Sequence, residues 1–319
     1  MVLLDFLLFV VGFVLLIQGG DWLVEGSSAL AKSFQVSDLV IGLTVVSFGT
    51  SAPELLVNLF ASFSEAENIA LGNILGSNIA NIFLVLGVAA AFQPLRLQGR
   101  TVWKEIPFAL IMTAVLGLLC NDIFFGEAER NVLSNADGLI LLVFFGIFIY
   151  YTYDTGAETG FVREMPEFSR GKAALLALLG SLALAGGGKL VVDNAQRVAL
   201  DLGISEAFIG LTAVALGTSL PEVVTSLTAT LKANADIAVG NVVGSNIFNI
   251  ALVLGLSGAI RDIPYDYAFN SDLLIALVAV LLLFVLMFLG RRYYLSRMEG
   301  VLFLIIYAAY IGATYLTRI

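Results

Sequence analysis

Apolar runs of about 17 to 25 residues recur along the chain, separated by short polar interruptions. They cover 2–34, 38–63, 68–92, 103–125, 133–153, 173–192, 205–231, 236–260, 271–290 and 297–317. As a helix, each is long enough to cross roughly 30 Å of hydrocarbon. The pattern predicts an all-α membrane protein of ten transmembrane helices. The opening of the first run, about 2–17, resembles a signal peptide, but it has Asp5 where a basic start belongs, and its continuation through Phe34 aligns with 187–202 in the second half, so it reads as a retained span.

The polar positions inside these runs repeat. IGLTVVSFGTSAPELLVNL starts at Ile41 and IGLTAVALGTSLPEVVTSL at Ile209. Each holds Gly-Thr-Ser-x-Pro-Glu, which places Glu54 and Glu222 in mid-span. About 15 residues later come IALGNILGSNIANIFLVLG from Ile69 and IAVGNVVGSNIFNIALVLG from Ile237. The paired blocks align without a gap and share about half their residues. Five spans per half is an odd number, so the second half enters the membrane from the opposite side. This gives two inverted five-helix repeats, with a site expected near the midplane where they meet. The expected division is a first repeat over 1–153, a cytoplasmic linker over 154–172 and a second repeat over 173–319. If loops alternate sides, about eleven of the 16 Lys and Arg fall on one side. That bias puts the linker in the cytoplasm and both termini outside, as expected for a protein of the inner cell membrane.

Composition strengthens this reading. Hydrophobic residues make up 59% and charged ones 13%, and the mean hydropathy is +0.97. That leaves too little polar surface for a water-soluble fold. The chain has no histidine, which removes histidine metal ligands and proton relays. Cys120 is its single cysteine, so an intrachain disulfide is impossible and a small apolar core residue is the expectation. The net charge of −9 reflects loop chemistry and points to no nucleic-acid partner.

A charge at the centre of a membrane helix costs on the order of 2.5–3.5 kcal/mol on insertion scales, so an intramembrane glutamate is functional by default. Positions four apart share a helix face, which gathers Ser47, Thr50, Ser51, Glu54 and Asn58 into one polar stripe. Pro53 and Pro221 free backbone carbonyls one turn back, at Gly49 and Gly217. Asn73, Ser77 and Asn81 are spaced by four, as are Asn241, Ser245 and Asn249. Gly72 with Gly76, and Gly240 with Gly244, form faces that let another helix approach closely. Carboxylate, hydroxyl, amide and carbonyl oxygens, without sulfur or imidazole, suit hard cations such as Ca²⁺ or Na⁺. Taken singly, a membrane serine or threonine more often bonds its own backbone, and glycines more often pack. The doubled motif around a glutamate outweighs that reading.

These motifs resemble the two alpha-repeats of the cation/calcium exchanger superfamily, most closely its prokaryotic sodium/calcium exchanger branch. The resemblance covers nearly the whole chain. It implies cation ligands at Ser47 (through its carbonyl), Thr50, Ser51, Glu54, Ser77 and Asn81. In the second repeat it implies Ala215 (carbonyl), Thr218, Ser219, Glu222, Ser245 and Asn249. Better-known members often carry an aspartate at the position of Asn249, so this site has two carboxylates instead of three. The resemblance also implies that the first and sixth spans, which bear Gly19, Gly20, Gly186, Gly187 and Gly188, slide as a gate. The implied activity is antiport of Ca²⁺ against Na⁺ in a lipid membrane, with the ions as substrates, no resident cofactor and no enzymatic reaction. A Ca²⁺/H⁺ exchanger with protonated glutamates is the alternative. An ion channel would need no counter-ion, and an intramembrane aspartyl protease would need paired aspartates.

Overall fold

The computed structural model describes residues 2–63, 67–125, 131–156, 168–201, 217 and 219–318. Among them, nine helices are long and apolar enough to cross a membrane. These are α1 (Leu7–Phe34), α2 (Asp38–Leu59), α3 (Leu71–Phe92), α4 (Thr101–Leu119) and α5 (Asn135–Tyr153), followed by α6 (Arg170–Asn194). After the shorter α7 (Leu220–Leu231) come α8 (Ala235–Ile260), α9 (Tyr267–Leu286) and α10 (Arg297–Leu316). Most of the expected seventh span before α7 lies outside the described residues, as does most of the 154–172 linker.

The fourth and ninth spans have ends that differ from the sequence reading. The fourth span stops at Leu119 instead of 125, because Asn121 folds its amide back onto the Gly117 carbonyl at 2.8 Å. A 3-10 turn over Asp122–Phe125 follows. The ninth begins at Tyr267, where the Asp266 carboxylate accepts from the Ala268 N–H, and it ends at Leu286 instead of 290. Beyond it the chain reverses through left-handed residues, Gly290 at φ +71° and Tyr293 at φ +57°.

The two halves interlock at their loops. β1 (Leu95–Arg96), after α3, pairs antiparallel with β4 (Tyr294–Leu295), before α10. β2 (Val132–Leu133), between α4 and α5, pairs antiparallel with β3 (Ile263–Pro264), between α8 and α9. The motif helices lie at the centre. Of the apolar stretch of α8, 94% is buried, and of α3, 78%, against 17% for the peripheral α10. Leu75, Ile79 and Phe83 of α3 share one core with Val243, Ile247 and Val253 of α8.

α1 and α6 form a layer on a second apolar core, which they share with Ile41 and Val46 of α2, Ala229 of α7 and Ile237 of α8. In lipid, helices gain little from excluding water, so close backbone packing holds them together. Gly12, Gly19 and Gly26 of α1 recur every seventh residue and meet Gly187, Gly180 and Ala173 of α6 in descending order. A methyl group added at Gly19 would sit 2.9 Å from the Gly180 carbonyl oxygen, and one at Gly26 would sit 2.6 Å from that of Ala173. The two helices are therefore antiparallel and in backbone contact over two heptads. Lys232, directly after α7, holds this layer to the centre, with its Nζ 2.9 Å from both Asp21 and Glu25 of α1.

Candidate cation site

Pro53 sits inside the helix that carries Glu54, and Pro221 occupies the first turn of α7, ahead of Glu222. α2 and α7 bring the two carboxylates close enough to repel one another. Each glutamate is only 1% exposed. Thr50 and Ser51 face Glu222, and no donor among the described residues makes a well-formed hydrogen bond to any of the four carboxylate oxygens.

The expected stripe on α2 is buried as one face: Ser47, Thr50, Ser51, Glu54 and Asn58. The Ser47 hydroxyl donates to carbonyls of Gly42 (2.8 Å) and Asn241 (3.0 Å), which binds α2 to α8, and the Ser47 carbonyl lies 3.4 Å from Thr50 Oγ1. Thr50 Oγ1 donates to Asn241 Oδ1 at 2.9 Å and lies 3.4 Å from Ser245 Oγ. Asn58 donates to the Glu54 carbonyl at 2.9 Å. The expected close approach occurs at Gly240 and Gly244, where an added methyl would meet the Leu39 carbonyl oxygen at 3.0 Å and the Leu43 Cα at 2.9 Å. Gly76 has no described neighbour within 4 Å.

Ser77 and Asn81 come from α3, Ser219 from just before α7, and Ser245 and Asn249 from α8; all are buried. Ala215 and Thr218 lie outside the described residues. Asn81 opens a π-helical turn (Asn81–Val85), and Asn249 lies in the matching one (Phe248–Leu254). A third precedes Ser47 (Gly42–Val46). Such turns rotate side chains away from the α-helical register and are frequent at functional sites.

An unsatisfied buried polar group costs roughly 1–3 kcal/mol, so native proteins rarely collect them. Here they share a chemistry. Besides the two carboxylates, Ser51 Oγ, Ser77 Oγ, Asn81 Oδ1, Ser219 Oγ and Asn249 Oδ1 are buried without a partner among the described residues. All are oxygens. The amide donors of the same asparagines are taken up elsewhere: Asn81 Nδ2 donates to Asn246 Oδ1 at 2.9 Å, and Asn249 Nδ2 to Asn78 Oδ1 at 3.0 Å. With their nitrogens engaged, the two asparagines have only oxygen left to offer, and carboxylate and serine hydroxyl oxygens are ligands that a hard cation also accepts.

Asn78 and Asn246 were not among the ligands that the sequence suggested. Their signal was present, since both belong to the repeated Gly-Ser-Asn-Ile, but each falls one position off the four-residue stripe. Asn73 and Asn241, which the stripe did include, divide differently. Asn241 is buried and serves packing, accepting from Thr50 and donating to Ser226 Oγ at 2.9 Å.

Membrane-length helices that bury two glutamates together with unpartnered serine and asparagine oxygens define an integral membrane protein suited to handling cations. The chain belongs to the sodium/calcium exchanger protein family, whose model matches residues 4–153 and 172–316. It is 37% identical over 318 residues to the putative antiporter CaxA of Alkalimonas amylolytica, covering 96% of each chain. It is 33% identical to the sodium/calcium exchanger MaX1 of Methanosarcina acetivorans, covering 98% of each. Its structure resembles that of the sodium-calcium exchanger NCX_Mj soaked with 10 mM Na⁺ and zero Ca²⁺. The TM-score is 0.84 at 34% identity, over 98% of this chain and 99% of that one.

Proposed function

We propose that the protein exchanges Ca²⁺ for Na⁺ by alternating access at a midplane site between two inverted five-helix repeats. The observation that carries this reading is that Glu54, Glu222, Ser51, Ser77, Asn81, Ser219 and Asn249, all within the doubled motif, bury side-chain oxygens with no hydrogen-bond partner among the described residues. The proposed ligands are Ser47 (carbonyl), Thr50, Ser51, Glu54, Ser77 and Asn81 in one repeat. In the other they are Ala215 (carbonyl), Thr218, Ser219, Glu222, Ser245 and Asn249. MaX1 and NCX_Mj, both named as sodium/calcium exchangers, support the choice of ions.

Charge gives a reason for exchange instead of leak. Moving two bare carboxylates through a closed, dry intermediate is prohibitive, because an isolated ion in an apolar medium costs tens of kcal/mol by Born solvation. One Ca²⁺ or two monovalent cations neutralise the pair formally. Only loaded forms then switch readily, so one ion leaves as another returns. In proteoliposomes, an outward Na⁺ gradient at fixed pH is expected to drive uptake of radiolabelled Ca²⁺. Uptake driven by a proton gradient instead, with no response to Na⁺, would replace this reading with Ca²⁺/H⁺ exchange.

The loop ribbons support ten spans divided as 1–153, 154–172 and 173–319. Two paired strands must lie on the same side of the membrane, so an even number of crossings separates them. Between β1 and β4 the described spans are α4, α5, α6, α8 and α9, and between β2 and β3 they are α5, α6 and α8. Both counts are odd, and a crossing that ends in α7 makes both even. With the basic loops inside, cysteines introduced at Val2 and at Glu158 are expected to react with an impermeant reagent from opposite faces of intact cells. Labelling from one face only would end the inverted-repeat topology.

A further inference from the structure

At the crossing of α3 and α8, four asparagine side chains hydrogen-bond to one another in pairs that respect the internal repeat, with no other partner among the described residues. Asn78 and Asn246 are 168 positions apart, the same offset that relates Asn81 to Asn249 and Glu54 to Glu222. Asn78 Nδ2 donates to the backbone carbonyl of Asn246, and Asn246 Nδ2 donates to that of Asn78, both at 3.3 Å. A backbone carbonyl in a helix cannot turn over, so these two bonds fix which way the Asn78 and Asn246 amides point. Their Oδ1 atoms are thereby presented to the remaining pair. Asn81 Nδ2 donates to Asn246 Oδ1, and Asn249 Nδ2 donates to Asn78 Oδ1. With their nitrogens held on that side, Asn81 and Asn249 have only oxygen left for the other, and both Oδ1 atoms are buried without a partner. All four residues are at most 3% exposed.

We infer that Asn78 and Asn246 are positioning residues: they touch no ion, and they hold the amides of Asn81 and Asn249 oxygen-first toward the cations. The inference rests on the exchange reading above. An asparagine side chain is a near-symmetric fork whose two ends have opposite effects on a cation. Without an acceptor behind it, the N–H₂ end can rotate into the site, where it repels the ion and removes one ligand. The ring makes that rotation costly in both repeats at once. It also lets neutral amides serve as fixed oxygen ligands, where an aspartate at the same position would have to carry a proton to donate the same bond.

The test is a pair of double-mutant cycles read by direct binding of radiolabelled Ca²⁺ to detergent-purified protein, with the melting temperature of the ion-free protein recorded alongside. Asn246→Ala is expected to raise the half-saturating Ca²⁺ about tenfold, the scale of one buried hydrogen bond. In an Asn81→Asp background, either side-chain end presents oxygen and orientation no longer matters, so Asn246→Ala is expected to change affinity less than about threefold. Asn78→Ala with Asn249→Asp is expected to behave in the same way. Where an alanine variant does not fold, Asn→Leu at the same position fills the volume without restoring the acceptor and takes its place. Equal losses in both backgrounds would overturn the positioning role and leave the exchange reading standing. A wild-type protein that binds neither Ca²⁺ nor Na⁺ would overturn both.

Discussion

Replacing either Glu54 or Glu222 with glutamine is expected to abolish Ca²⁺ exchange while the protein still folds. Both carboxylates are buried, and no donor among the described residues makes a well-formed hydrogen bond to either, so the fold loses little when the charge goes. The amide keeps the shape and removes the charge, and a single carboxylate with neutral oxygens cannot balance Ca²⁺ in a low-dielectric site. Relieving the repulsion between them removes a cost from the ion-free state, so the melting temperature of each variant in ion-free detergent is expected to equal or exceed that of wild type. The two losses are expected to be strongly non-additive, with the double variant transporting no worse than either single one. The measurement is Na⁺-driven Ca²⁺ flux together with thermal melting for all four proteins. Near-normal flux in one single variant would remove that glutamate from the site, and unfolding of both would make the pair structural.

The other large effect is expected at Gly180. A Cβ there would stand 2.5 Å from the Leu23 backbone nitrogen and 2.8 Å from the Gly19 carbonyl oxygen. Backbone cannot yield as a flexible side chain can, so α1 and α6 must move apart along the whole seven-residue ladder. Overpacking of this kind typically costs about 1–3 kcal/mol, and Gly180→Leu is expected at the upper end. The variant should melt several degrees lower and lose most of its transport, because the two helices no longer form one layer. Gly146→Leu is the control, since nothing described lies within 4 Å of Gly146. If both variants melt alike, the glycine ladder does not hold the layer together.

What the chain revealed in advance followed from repetition and length. Spans of membrane length and a glutamate motif written twice are legible because each is a local pattern, and the structure buries Glu54, Glu222 and their serine, threonine and asparagine neighbours as that pattern implied. The amide ring was not legible. Its bonds join residues 165 to 171 positions apart, and no spacing rule within one helix reports a partner in another. The glycine ladder was half visible. Gly19 and Gly187 stood out, but the seven-residue rhythm of Gly12, Gly19 and Gly26 gains meaning only once an antiparallel helix offers Gly187, Gly180 and Ala173 in return. The ribbons escaped because two-residue strands are too short to carry an alternating pattern. The ends of the fourth and ninth spans were misjudged for a related reason. Asn121 and Asp266 end and start helices through their own hydrogen bonds, within stretches that remain apolar.

The ribbons also set an order of assembly. Leu95 pairs with Leu295, so β1 is made about 200 residues before its partner, a wait of roughly 10–40 s at ordinary rates of synthesis. During that interval the first half sits in the bilayer with β1 and β2 unpaired. Asn81 has not met Asn246, and Asn78 has not met Asn249. The half-made molecule therefore exposes its amides and Glu54 to lipid or to the insertion machinery before they have any ion to hold. The last loop to emerge closes the structure, so a nascent chain that stalls short of Tyr294 lacks the β1–β4 clasp even though both motif copies are already made.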